Sequence, residues 1–223
     1  VRFRRQVVLT ALTSVIALAA AQAANAAPIL TFGQVGTGTP ITGTNDGFGA
    51  TLILGADIPI SVTGIATAAV VPFDAFFSLA AVSTGAAVTG PGGQGAVQNF
   101  AGGFCITSLA GCSGVNYLSG SFTDVALGAG TSLVLAASQP VDVVTFSSGV
   151  IPLDQLDLPR ALALSFAGVD PAVSIVNGSL GSFVSSVSGT LSAESSVVPE
   201  PASLLLFGSG LIGVARRLRR RNT

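Results

Sequence analysis

The sequence predicts an all-β fold, an antiparallel β-sandwich or jelly-roll-like single domain, with an N-terminal signal helix before it and a short C-terminal transmembrane helix after it. Three observations predict the β domain. Apolar residues alternate with small or polar ones at a period of two: Leu162, Leu164 and Phe166 interleave with Ala161, Ala163, Ser165 and Ala167. Turn signals such as Gly36-Thr37-Gly38, Asn45-Asp46-Gly47, Gly90-Pro91-Gly92-Gly93, Gly128-Ala129-Gly130 and Asp170-Pro171 separate these runs. Gly and Pro interrupt most windows, so no 3.6-residue stripe continues beyond two turns.

Taken in chain order, Leu52, Leu54, Ile58, Ile60 and Val62 read as a strand pair or one kinked strand, with Pro59 marking an edge or a bulge. Val70 to Val82, carrying Phe73, Phe76, Phe77 and Leu79, is the one stretch that also fits a short helix. Leu133 and Leu135, then Val141, Val143 and Thr145, repeat the strand pattern. Leu180 to Glu194 forms a last strand that runs straight into the C-terminal segment. Many short strands with Gly-rich turns are the signature of a sandwich.

Composition removes several kinds of chemistry. The 223 residues contain no His, and all nine cations are Arg. A chain without His has no Ser-His-Asp or Cys-His nucleophile, and one without Lys has no Schiff base or P-loop. Two Cys are too few for a four-thiolate zinc site. Eight of the nine Arg lie at the two ends. Between them Arg160 faces Asp46, Asp57, Asp74, Asp124, Asp142, Asp154, Asp157, Asp170 and Glu194, one cation against nine acids. Such a middle repels phosphate backbones, so no nucleic-acid partner is expected. No cofactor is expected either.

The basic ends read as addresses. Arg2, Arg4 and Arg5 precede an apolar run from Val7 to Ala21, and Ala24-Asn25-Ala26 has the small-x-small form that signal peptidase accepts. Residues 1–26 are therefore expected to be a signal peptide cut after Ala26, with Ala21-Gln22-Ala23 as second choice. At the other end Ser195-Ser196-Val197-Val198 leads to Pro199-Glu200-Pro201, then an uncharged run from Ala202 to Ala215, then Arg216, Arg217, Arg219, Arg220 and Arg221. Fourteen helical residues reach about 21 Å, short of a hydrocarbon core of roughly 30 Å unless Leu218 is included and Arg side chains snorkel. The Arg cluster is expected to stop the chain in the inner membrane with the domain facing outward.

This tripartite tail resembles the PEP-CTERM sorting signal of Gram-negative bacteria. The resemblance rests on Val198-Pro199-Glu200-Pro201, Ala202-Ser203-Leu204-Leu205-Leu206, Gly208, Gly210, Leu211 and the Arg run. It implies cleavage at or near Pro-Glu-Pro by an exosortase, a membrane cysteine transpeptidase, after a transient inner-membrane stage. It also implies an envelope or biofilm-matrix protein made alongside exopolysaccharide. The expected organisation is a signal peptide at 1–26, a β-sandwich ectodomain at 27–194 and a sorting signal at 195–223.

Inside the ectodomain, Cys105 and Cys112 in an exported chain read as a local disulfide pinning a loop; so short a ring is worth about 2–3 kcal/mol. Asp154 and Asp157 are the closest carboxylate pair, weak candidates for Ca²⁺ or for acid–base hydrolysis. The plainer reading is a solvated turn in which Arg160 pairs with Asp157. With no Trp and a single Tyr, a sugar-binding face is a secondary expectation. Asn177-Gly178-Ser179 matches the N-glycosylation pattern. The expectation is an exported, non-enzymatic envelope or matrix protein. Its alternatives are a sugar- or Ca²⁺-binding adhesion module and, behind that, a secreted hydrolase.

Overall fold

The computed structural model describes residues 26–38, 40–67, 71–90, 93 and 95–194. Among the described residues there are thirteen strands: β1 Ala27–Gln34, β2 Ile41–Asn45, β3 Thr51–Ile65, β4 Phe73–Ser83, β5 Val88–Thr89, β6 Ala96–Leu109, β7 Ser113–Ala129, β8 Ser132–Ser138, β9 Val144–Ser147, β10 Asp157–Asp170, β11 Ile175–Val176, β12 Ser179–Leu180 and β13 Phe183–Glu194. All pairings are antiparallel.

The expected sandwich is corrected here. β6 pairs with both β4 and β7, and β1 with both β3 and β13, so the sheet returns on itself. Three wall positions are shared by successive short strands: β1 with β2, β4 with β5, and β8 with β9. Counting each as one stave, eight staves follow one another in chain order and the last closes on the first. This is an up-and-down barrel, without the long crossovers of a jelly roll. Alternation predicts which face of a strand is buried; it carries no information on whether a sheet closes.

Eight strands leave an interior just wide enough to be filled by side chains. Ile53, Ile58, Ile60, Phe77, Phe100, Ile106, Leu118, Leu133, Leu135, Leu164 and Phe166 occupy it, each almost without solvent contact. Burying one such side chain stabilises the fold by about 1.5–3 kcal/mol. Two large rings are accommodated by glycine directly opposite. Phe32 faces Gly189, where a Cβ would lie 2.4 Å from the ring, and Phe183 faces Gly43, where it would lie 2.1 Å away. Glycine within these strands is thus a packing requirement.

Of the stretch from Val70 to Val82, the part from Phe73 on is a strand: β4 buries Ala75, Phe77, Leu79 and Ala81 in strict alternation, while Val70 lies outside the described residues. The kink around Pro59 is a bulge. β3 takes three steps from Gly55 to Ile58 while β4 takes two from Leu79 to Phe77, and the extra residue, Asp57, has φ 51°. The bulge reverses phase, so Ile53 points inward while Leu52 and Leu54 point out, and Ile58, Ile60 and Val62 point inward after it. The 141–145 pattern shifts by one: Val144 and Phe146 face the core, and Val141 and Val143 are exposed.

Both mouths are closed. At the far rim, the β10–β13 connection folds into the β11–β12 hairpin, whose Asn177-Gly178 turn has φ 51° and 76°, the left-handed pair that a two-residue hairpin favours. At the opposite rim, the β9–β10 connection carries a 3-10 turn, Leu153–Gln155, and buries Ile151 and Leu156 in the mouth.

Candidate functional site

The rim with the 3-10 turn is where the two ends of the described chain leave. Ala27 of β1 stands opposite Ala193 of β13, and Glu194 stands opposite Asp157 of β10. Ala26, the residue before the expected signal cleavage, and Glu194, the last residue before the expected sorting segment, therefore lie at the same barrel mouth, the exit rim. Ala24, Pro199, Glu200, Pro201 and Arg216, Arg217, Arg219, Arg220 and Arg221 lie outside the described residues. Among the described residues no helix is long and apolar enough to cross a membrane.

The exit-rim plug is built from one hydroxyl and one turn. Ser148 Oγ donates to the Tyr117 carbonyl at 2.6 Å and accepts from the Val150 and Ile151 amides at 3.1 and 2.9 Å. This fixes the chain as it turns across the mouth. Arg160 Nε donates to the Leu156 carbonyl at 2.6 Å. A shallow depression of about 490 Å³ lies between the end of β3 and this plug, lined by Ile65, Ala66, Thr67, Val150, Pro152 and Gln155.

Asp154 sits in the 3-10 turn and Asp157 opens β10, both exposed, and neither lines the depression. Among the described residues no cluster of three His, Cys, Asp or Glu forms that would hold a metal. Cys105 and Cys112 form the disulfide, with Cα atoms 5.8 Å apart, within the normal range. The bridge folds the β6–β7 tip back onto the barrel wall, where Gly111 N donates to Asp57 Oδ1 at 2.6 Å and Ser78 Oγ donates to the same oxygen at 3.3 Å.

The far rim has no exits. Gln98, buried in the mouth, donates through Nε2 to Ser179 Oγ at 2.7 Å and to the Gly85 carbonyl at 2.8 Å, and accepts from Leu180 N at 2.9 Å. Thr51 Oγ1 meets Ser179 Oγ at 2.7 Å. Asn45 Nδ2 donates to the carbonyls of Val176 and Leu180. The Asn177-Gly178-Ser179 triplet is thus part of a plug, with its Ser fully buried. Beside it Asp46 caps its own loop by accepting from Phe48 N at 2.8 Å and Ala50 N at 2.9 Å, which holds its carboxyl below the ordinary range. The loop presents Phe48 at 96% exposure.

One chemically unusual residue was not singled out by sequence. Asp124 on β7 points into the barrel at 3% exposure, opposite Phe100 on β6. Its Oδ1 accepts from Val125 N, while Oδ2 has no partner. Burial pushes its pKa up to about 7, with repulsion from Asp142 adding to the rise and the backbone of Val125 and Ala136 opposing it. The signal in the sequence was its place between Phe122 and Ala126 in an alternating run. The outward Val125 and Leu127 obscure it.

Residues 197–221 match the family model for the PEP-CTERM protein-sorting motif, a match that spans Pro199-Glu200-Pro201 and the whole Arg cluster. No curated protein and no solved structure matches the chain. The chain therefore carries, directly beyond the strand that closes its barrel, a PEP-CTERM sorting motif, the mark of a protein sorted through an exosortase to the cell envelope or beyond it.

Proposed function

We propose that the chain is an exported, non-enzymatic component of the outer envelope or of an exopolysaccharide matrix. On this reading signal peptidase removes residues 1–26, the tail 195–223 holds the barrel briefly in the inner membrane, and an exosortase then cuts at or near Pro199-Glu200-Pro201. The observation that carries it is the sorting motif at 197–221, placed a few residues beyond a barrel whose two chain ends share one rim. The barrel's packing supports a structural role, since its interior is occupied by Phe, Ile and Leu side chains. The weak Ca²⁺ and hydrolase readings of Asp154 and Asp157 rank last, because the depression at their rim is lined without either carboxylate.

A second reading, an adhesion module that binds sugar, draws on Phe48. An aromatic ring held out on a capped, glycine-flanked loop at the far rim offers a face for an apolar or sugar partner.

Fractionation of cells with and without the exosortase tests the first reading. The protein is expected in the inner membrane when the enzyme is absent and in the outer envelope or medium when it is present. Identical distribution in both strains would overturn it.

A further inference from the structure

We infer that the carboxylates of Asp124 and Asp142 form a site for a hard cation of the Ca²⁺ type, set in a gap of the barrel wall between β8 and β9. The inference stands apart from the sorting reading. The gap follows from the pairing. β7 carries β9 as far as Phe122 opposite Val144, and it carries β8 from Val125 opposite Ala136 onward. Thr123 and Asp124 fall between the two ladders, and residues 139–143 leave the wall there, with Val141 91% exposed. The β7–β9 register continues one step in loosened form. Thr123 N donates to the Val143 carbonyl at 2.9 Å, while Val143 N turns to Thr123 Oγ1 at 3.0 Å. The next step of that register sets Asp124 opposite Asp142. Residues opposite each other in a sheet share a face, with Cβ atoms about 4.5–5.5 Å apart.

Two observations make this pair more than an acidic turn. Asp124 is buried, yet its Oδ2 has no hydrogen-bond partner, since Val125 N reaches Oδ1 alone. Asp142, half-buried, is held in place beside it: Oδ2 accepts from Ser138 N at 2.9 Å, and Asp142 N donates to the Ser138 carbonyl at 3.0 Å. Among the described residues the single cation is Arg160, whose Nε is engaged by the Leu156 carbonyl at the exit rim. A buried carboxylate with a second one opposite it and no counter-ion is strongly disfavoured. A cation held by both carboxylates would satisfy Oδ2 and cancel the repulsion together. The chain has no His, and both Cys are in the disulfide, so the donor set is oxygen alone. Carbonyls and water complete such a shell for Ca²⁺, whereas zinc favours His and Cys. On the β8 side the residue in step with Asp124 is Ala137, whose methyl adds little bulk.

The test uses the full chain in mild detergent at pH 8. Equilibrium dialysis against radioactive Ca²⁺ should find about one ion per chain, with a Kd of about 0.1–1 mM, the range of weak extracellular sites. Calcium at about ten times that Kd should raise Tm by about 3–6 °C over EDTA. Asp124→Asn and Asp142→Asn should each lose the bound ion and the Tm rise, while the double variant Asp154→Asn, Asp157→Asn should keep both. In EDTA, Asp124→Asn should unfold at no lower temperature than the unmodified chain, which separates lost binding from lost fold. An unmodified chain that binds no Ca²⁺ overturns the inference, as does a Tm rise matched by NaCl at equal ionic strength. A folded Asp124→Asn chain that binds as the parent does overturns it too, and so does loss of binding in the double variant, which would move the ion to the 3-10 turn. If Asp124→Asn fails to fold, Asp142→Asn decides by dialysis, and retained binding there overturns the site.

Discussion

The two mouths of the barrel are closed by opposite chemistry. The far rim is sealed by buried polar groups that satisfy one another, Gln98, Thr51 and Ser179 with the backbone of Gly85 and Leu180. The exit rim is sealed by two apolar side chains, Ile151 and Leu156, on a short turn that Ser148 Oγ anchors to Tyr117, Val150 and Ile151 and that leaves Pro152, Leu153 and Asp154 exposed. A satisfied buried network admits one arrangement, because any shift leaves a donor or acceptor without a partner. An apolar plug tolerates small displacements at gradual cost. The rigid closure is thus on the end away from both chain exits, and the forgiving one is on the end where chain must leave and, on our proposal, an enzyme must approach.

That contrast yields predictions that differ in size. The largest is for Gln98→Leu, which leaves Ser179 Oγ, Leu180 N and the Gly85 carbonyl without their buried partner. It should cost about 4 kcal/mol, an unsatisfied buried Leu180 N at about 1–3 kcal/mol plus two lost hydrogen bonds, to Ser179 and Gly85, at about 1 kcal/mol each. Leu156→Ala at the exit rim should cost less, about 2–3 kcal/mol, because the exposed turn can settle into the space left behind. Both are read from denaturant midpoints at constant slope. If Leu156→Ala proves the costlier, the contrast between rigid and forgiving closures is wrong.

Asp124→Asn sharpens the comparison from between the two rims, and its sign is opposite. With a folded pKa pushed up to about 7 against an ordinary 3.8, Asp124 keeps its proton in the folded state while the unfolded chain loses it. Stability therefore falls as pH rises from about 4 to about 7 and is level beyond. Asn cannot ionise, so the variant should be more stable than the parent at pH 8 and flat across that window, with little difference at pH 4. Thermal unfolding at a series of pH values reads this directly, and a parent whose stability rises from pH 4 to 7 would contradict it.

The molecule was unevenly legible. The tail is a linear message, in which Pro-Glu-Pro, an uncharged run and an Arg cluster follow in order, and residues 197–221 match a known motif. The disulfide was legible because Cys105 and Cys112 are the only two Cys in the chain. The β class was legible in Leu162, Leu164 and Phe166, all buried as the alternation implies. Closure was not, because it depends on β13 finding β1, more than 150 residues away in sequence, and local patterns are silent on such pairs. Leu52-Ile53-Leu54 could not give its own phase, since all three are apolar and the bulge at Asp57 reverses which face is buried. In β7 the small inward residues Ala126 and Gly128 and the inward Asp124 sit between outward Val125 and Leu127, so hydrophobicity pointed to the wrong face. A narrow barrel does not take a large side chain at every inward position, which is why its interior includes Gly and Ala.

The most direct measurement is the intact mass of the protein recovered from the envelope and medium of its own cells, with and without the exosortase. With the enzyme present, the mass should correspond to a chain that begins at Ala27 and ends at or near Pro199-Glu200-Pro201, with the Cys105–Cys112 bridge intact. Without the enzyme it should extend through Arg216 to Arg221. A product that keeps the Arg cluster in exosortase-competent cells would contradict the sorted-barrel reading and leave the tail as a permanent anchor.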